Sequence, residues 1–150
     1  MEYRRKFSLA AYTPDGPAFS MDVVSAQLPG DDGLIGVLGN RAPLISLLGA
    51  GRLALQDVKG AQHEYYLAGG FAQVCENVMT VLAEECIEVS QIDREQAWEE
   101  ISRARKMPVE TDDQRQRRRQ AVAAARAKFR LAQEHWRARR KGEVTDMSLE

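Results

Sequence analysis

Leu28-Pro29-Gly30-Asp31-Asp32-Gly33-Leu34-Ile35-Gly36-Val37-Leu38-Gly39-Asn40-Arg41-Ala42-Pro43-Leu44 sets apolar residues between two knots of turn chemistry. Proline presets φ, glycine reaches positive φ and aspartate bonds its own backbone, so Pro29 to Gly33 reads as a tight turn. Val24, Ala26 and Leu28 alternate before it, and Gly39-Asn40 interrupts the chain after it. The same grammar fills the first ninety residues. Phe7, Leu9 and Ala11 alternate up to Thr13-Pro14-Asp15-Gly16-Pro17, and further breaks fall at Gly49-Ala50-Gly51, Lys59-Gly60, Gly69-Gly70 and Glu76-Asn77. Between them lie Leu53 and Leu55, Tyr65 to Ala68, Phe71 to Cys75, and Val78 to Ala83. Runs of about five residues with turns every eight to twelve predict an antiparallel β sandwich or barrel over residues 1–90. No helical period separates the runs, which argues against a parallel sheet.

After Ser90 the period changes. Asp93 followed by Gln96 forms a capping-box-like start, and Ala97, Ile101 and Ala104 recur at helical spacing with Trp98 beside them. Pro108 ends this helix and Thr111-Asp112-Asp113 caps the next, which runs without Gly or Pro to Lys141, about 27 residues or roughly 40 Å. Val122, Ala125, Phe129, Ala132 and Trp136 form a thin apolar seam suited to an antiparallel two-helix hairpin. So little apolar area predicts weak docking, an arm able to leave its rest position. The expected divisions are a β domain at 1–90, a helical hairpin at 91–141 and a disordered tail at 142–150.

Of 150 residues, 21 are Lys or Arg and 22 are Asp or Glu, a net charge of −1. That balance conceals an asymmetry: residues 1–90 hold 6 basic and 11 acidic side chains, and residues 115–141 hold 11 basic ones with the single acid Glu134. Two cysteines exclude a disulfide-dense scaffold, and no apolar run reaches the roughly 18 residues of a membrane span. Cys75 and Cys86, with His63 and His135, lack metal-ligand spacing and any local Cys–His arrangement, so the chain nominates no catalytic residue and no metal site. Gly30 to Gly36 lacks the Gly-Lys-Ser/Thr end of a phosphate loop, and its carboxylates would repel phosphate. The arginines of the second helix admit three readings: a solvated face, a nucleic-acid site, or a surface for an acidic protein patch.

The stretch Leu28–Leu44 resembles the signature of the ATP synthase epsilon subunit family, as do Tyr66-Leu-Ala-Gly-Gly-Phe-Ala-Gln-Val74, Asn77-Val-Met-Thr-Val-Leu-Ala-Glu84 and the opening Tyr12-Thr-Pro-Asp-Gly-Pro17. The likeness runs from about Phe7 to Lys141. It implies a non-catalytic central-stalk subunit whose sandwich binds the gamma subunit and the c-ring, coupling proton or ion flow to ATP synthesis. By position, Asp31, Asp32 and Leu34 would face the c-ring and Arg41-Ala42-Pro43 would lie toward gamma. Gly39-Asn40-Arg41-Ala42-Pro43 replaces the family's usual Pro-Gly-His-Ala-Pro wording.

The hairpin resembles the family's inhibitory arm, which blocks ATP hydrolysis when extended into the alpha/beta head. Arg115, Arg117, Arg118 and Arg119, or the later Arg126, Arg130, Arg137, Arg139 and Arg140, would meet an acidic segment there. Some relatives bind regulatory ATP through an Ile/Leu-Asp-x-x-Arg-Ala motif. Here Asp93 and Ala97 match, Arg103, Arg126 and Arg130 align with assisting arginines, and Gln96 replaces the motif arginine. No other cofactor is implied. The resemblance places the chain at the cytoplasmic face of the bacterial inner membrane, held only through its complex. The rival reading is a nucleic-acid-binding module built on the arginine-rich helix.

Overall fold

Strand β1 (Phe7–Thr13) buries Phe7, Leu9 and Ala11 and turns Ser8 and Tyr12 outward, the period of two that a pleated backbone imposes. The computed structural model describes residues 5–147, with side chains through Gly142. It continues with β2 (Gly16–Gly30), β3 (Gly33–Leu38), β4 (Leu44–Asp57), β5 (Gln62–Cys75), β6 (Val78–Ala83) and β7 (Cys86–Glu88). Neighbours run β1-β6-β5-β4-β2-β3, and β1 also pairs with β2, so five strands close into a barrel. Strand β3 flanks β2 outside that ring, and β7 pairs with β5. Leu9, Val23, Leu53, Leu67, Met79 and Val81 fill the barrel with no exposed surface.

Two features depart from the sequence reading. The ring closes through a parallel pairing of β1 with β6, Ser8 to Tyr12 against Val78 to Leu82. That pairing joins residues about seventy positions apart, and alternation along either strand carries no trace of it. The breaks read at Gly49-Ala50-Gly51 and Gly69-Gly70 are not turns: they lie inside β4 and β5, which are 14 residues each. Gly69 and Gly70 take φ of 74° and 121°, and the register passes from Leu48↔Gly70 to Ala50↔Ala68. A β carbon on Gly70 would stand 1.9 Å from the Leu82 carbonyl oxygen. Glycine here bends a strand around the barrel without ending its pairing. Glu76-Asn77 does turn, both residues at positive φ between β5 and β6.

The chain divides into Met1–Glu88 and Val89–Glu150. The second unit holds a 3-10 turn (Val89–Gln91), α1 (Arg94–Arg105) and α2 (Asp112–Met147). Asp93 caps α1, its carboxylate accepting from the Glu95 and Gln96 amides at 3.0 and 3.1 Å. Thr111 Oγ1 accepts from the Gln114 amide at 3.1 Å at the start of α2. Helix α2 runs through Gly142 to Met147, beyond the expected end at Lys141. One interior glycine costs only about 1 kcal/mol and does not stop a long helix. The rest of the expected tail, 148–150, lies outside the described residues.

The seam is realised in part. Ala125 and Ala132 are buried and Phe129 meets Trp98 with ring centroids 5.1 Å apart, but Trp136 stays 39% exposed. Two guanidinium groups lie over its ring, Arg94 at 4.1 Å and Arg140 at 4.8 Å from the centroid. Arg94 also donates to Gln133 Oε1 at 3.2 Å. Lys128 is nearly buried, and its ammonium donates to both Glu100 carboxylate oxygens at 3.0 and 3.2 Å.

Candidate interaction surfaces

The barrel's outer wall carries an apolar row four strands wide. Register places Leu47 beside Phe71, Phe71 beside Leu82, and Leu82 beside Tyr12. Leu47, Phe71 and Leu82 are each more than half exposed, and Ile45, two residues along β4, is 73% exposed. Single exposed apolar residues need no explanation, whereas a contiguous set marks an interface. The sequence pattern places Phe71 and Leu82 in strands and does not reveal the row. Alternation shows that neighbours face opposite ways, and only the inter-strand register shows which side chains share a wall.

Beside the row stands the acidic turn. Asp31 and Asp32 are exposed at the tip between β2 and β3, with Leu34 71% exposed just beyond. The turn must be tight at Gly30, where a β carbon would lie 2.5 Å from the Gly33 carbonyl oxygen. The Asp31 amide donates to the Leu47 carbonyl at 3.2 Å, seating the tip against β4. Residues 30–35 and Ile45 to Leu47 together line an open groove of about 520 Å³. The sequence-predicted Asp31, Asp32 and Leu34 therefore share one groove. Arg41 and Pro43 are exposed in the following loop, and Arg41 Nη1 reaches back to the Gly36 carbonyl at 3.2 Å. Asn40, where the family wording has glycine, exchanges two bonds with Asn77. Its amide donates to Asn77 Oδ1 at 2.7 Å, and Asn77 Nδ2 donates to Asn40 Oδ1 at 3.0 Å.

Asp57 is tied into the turn that joins β4 to β5. Asp57 Oδ2 lies 2.9 Å from His63 Nε2, and Oδ1 accepts from the Lys59 and Ala61 amides at 2.9 Å. These bonds, His63 foremost, hold the Asp57 carboxyl below the usual carboxylate range. Burial pushes the Cys86 thiol up to about 11, which keeps it protonated and unreactive at neutral pH. Tyr65 is raised as well, by burial first and then by Glu88 and Cys86. Among the described residues, no group of three or more His, Cys, Asp or Glu could hold a metal ion, and no helix is long and apolar enough to cross a membrane.

In the helical unit, Arg118 and Arg119 line a groove of about 310 Å³ with Arg105, Val122, Ala123 and Arg126. Arg118 Nε donates to the Arg105 carbonyl at 3.0 Å. Arg115 is tied to its own helix start, pairing with Asp112 and donating to the Val109 carbonyl at 2.9 Å. Arg117, Arg130 and Arg137 are exposed outside that groove. The residues aligned with a nucleotide motif are spread out. Asp93 is engaged as a helix cap, Ala97 is fully buried, and Arg126 shares its groove with Arg105 at the opposite end of α1 from Asp93. Arg103 is exposed on α1 and Arg130 on α2.

A β barrel with an apolar outer row and an acidic rim, joined to an arginine-rich helical pair, defines a docking subunit rather than an enzyme. Residues 6–89 match the family described as "ATP synthase, Delta/Epsilon chain, beta-sandwich domain". The chain is 38% identical over 120 residues to the ATP synthase epsilon chain of Rhodopirellula baltica, covering 80% of this chain and 93% of that one. It is 33% identical over 114 residues to the epsilon chain of Maricaulis maris, covering 76% and 85%. In fold it is similar to a chain of the Euglena gracilis mitochondrial ATP synthase, with a TM-score of 0.67 at 21% identity, covering 79% of this chain and 76% of that one. A chain from the central stalk and c-ring structure of the Tetrahymena thermophila enzyme gives 0.65 at 12% identity, covering 86% and 98%. The chain belongs to the ATP synthase epsilon chain family, whose members are non-catalytic subunits of the complex. None of these likenesses supports the nucleic-acid alternative.

Proposed function

We propose that the barrel is the docking platform of a rotor subunit and that the helical unit restrains ATP hydrolysis. The observation that carries the platform reading is the row Tyr12–Leu82–Phe71–Leu47, an apolar stripe that water disfavours and a gamma-like subunit would cover. The groove with Asp31, Asp32 and Leu34 meets the c-ring, and Arg41 and Pro43 face gamma. Arg118, Arg119 and Arg126, with the exposed Arg117, Arg130 and Arg137, meet acidic surface on the alpha/beta head. Attachment to the cytoplasmic face of the bacterial inner membrane is then peripheral, through the complex alone.

Phe71→Asp places a charge in the middle of the row. It should weaken co-assembly with the gamma subunit by at least about thirtyfold, the loss of one central interface anchor. Unchanged assembly removes the row from the interface. Deleting residues 92–150 should raise ATP hydrolysis by the reconstituted complex, and an unchanged rate removes the restraining role.

A further inference from the structure

Strand β3 is the last strand of the sheet: β2 pairs with one side of it, and among the described residues no strand pairs with the other. An open edge presents main-chain N–H and C=O groups to whatever arrives, and proteins commonly defend it with lysine, proline or a bulge. Gly33-Leu34-Ile35-Gly36-Val37-Leu38 has none of these defences. Its register against β2 is regular from Gly33↔Gly30 to Leu38↔Ser25, and Leu34 and Leu38 are both more than half exposed. The Arg41 guanidinium reaches this edge, on the Gly36 carbonyl. Pro29, opposite Leu34 in the register, has no N–H to donate across the ladder, and Gly36, two residues on from Leu34, falls in the same outward-facing set, its carbonyl accepting from Arg41. By the alternation of an antiparallel ladder, the main-chain groups of Leu34 and Leu38 turn the same way.

We infer that β3 is a strand-addition site, where an extended segment of a partner subunit pairs its backbone with Leu34, Gly36 and Leu38. The pattern dictates the occupant's chemistry. Only another backbone satisfies a row of outward N–H and C=O groups, so the segment is extended. Leu34 and Leu38 require apolar side chains at alternate positions, and Asp31 and Asp32 at the head of β3 require a Lys or Arg at the segment's end. Arg41 leaves Gly36 as the segment arrives, so it competes with a wrong strand without barring the right one. The inference rests on the docking reading above and specifies its bonding.

Amide hydrogen exchange on the free chain and on the reconstituted rotor complex tests it. The Leu34, Gly36 and Leu38 amides should exchange rapidly in the free chain and slow by at least about tenfold in the complex. The Ile35 and Val37 amides, turned toward β2, should be protected in both. A complex that forms while Leu34, Gly36 and Leu38 remain fast overturns strand addition and leaves the docking reading standing. Failure of the chain to enter the complex overturns both. Slowing that appears in the free chain only as its concentration rises assigns the edge to a second copy and overturns the partner assignment. A β carbon at Gly36 meets nothing within 4 Å, so Gly36→Pro removes the outward N–H at an edge position that tolerates proline. It should keep the free chain's thermal transition and weaken assembly about tenfold or more, the equivalent of about 1.4 kcal/mol. An unaltered affinity would sink the inference.

Discussion

In the barrel, Leu9, Leu28, Leu53, Leu55 and Leu67 are at most 1% exposed, and Tyr66, Met79, Val23 and Val81 join them. The helical unit buries Ala97, Ala104, Ala125, Ala127 and Ala132, with Ile101 and Leu131 as its larger aliphatics and Lys128 among them. An alanine methyl removes far less apolar surface from water than a leucine side chain, so the two units are held by different forces. The barrel is held by non-directional burial of large aliphatic side chains. The helical pair leans on directional contacts: the Glu100–Lys128 ion pair, the Arg94–Gln133 bond and the two guanidinium groups on Trp136. The Arg94–Gln133 bond and the cation contacts on the partly exposed Trp136 can be exchanged for water or for a partner's groups at small net cost, whereas the nearly buried Lys128 depends on Glu100. That difference accords with the roles proposed above, a platform in the barrel and a restraining arm in the helices.

The largest effect is expected at Leu53, buried in the barrel core. Leu53→Ala should destabilise the barrel by about 2 to 5 kcal/mol, read from denaturant unfolding. A loss below 1 kcal/mol would show that the barrel core is not what holds that unit. A smaller effect is expected at Trp136, whose ring is shared by Arg94 and Arg140. Trp136→Ala should cost about 1 to 2 kcal/mol and should raise amide exchange in α1 and α2 while leaving β5 unchanged. The smallest effect belongs to Asp57→Asn. Folding lowers the Asp57 carboxyl below its ordinary 3.8, so its contribution is complete above that value and is lost as pH falls through the lowered one. The variant should melt slightly below the parent at pH 7, and the gap should close on acidification below 3.8. A gap that persists in acid would show that the carboxylate charge is not the stabilising element.

Much of this was legible in residue order because the physics involved is local. The change from turn-rich alternation to helical period near Ser90, the Asp93 cap and the stop before Pro108 all depend on neighbours within a few positions. Asp31 and Asp32 were readable as an exposed acidic turn for the same reason. What escaped depends on distant partners. Glycines at 69 and 70 look like a terminus until the register shows pairing on both sides. Nothing local marks Lys128 for burial, because its partner Glu100 lies 28 residues earlier. Phe71 alternates correctly, yet only Leu47 and Leu82 beside it reveal a wall rather than a core.

The paired amides of Asn40 and Asn77 carry a mechanical consequence. They stitch together two loops that lie 37 positions apart in the chain. A push or twist delivered at residues 39–43 therefore reaches the β5–β6 corner through two short bonds instead of travelling the length of β4 and β5. The stitch stiffens that end of the molecule, so load spreads into the sheet before any one loop can yield.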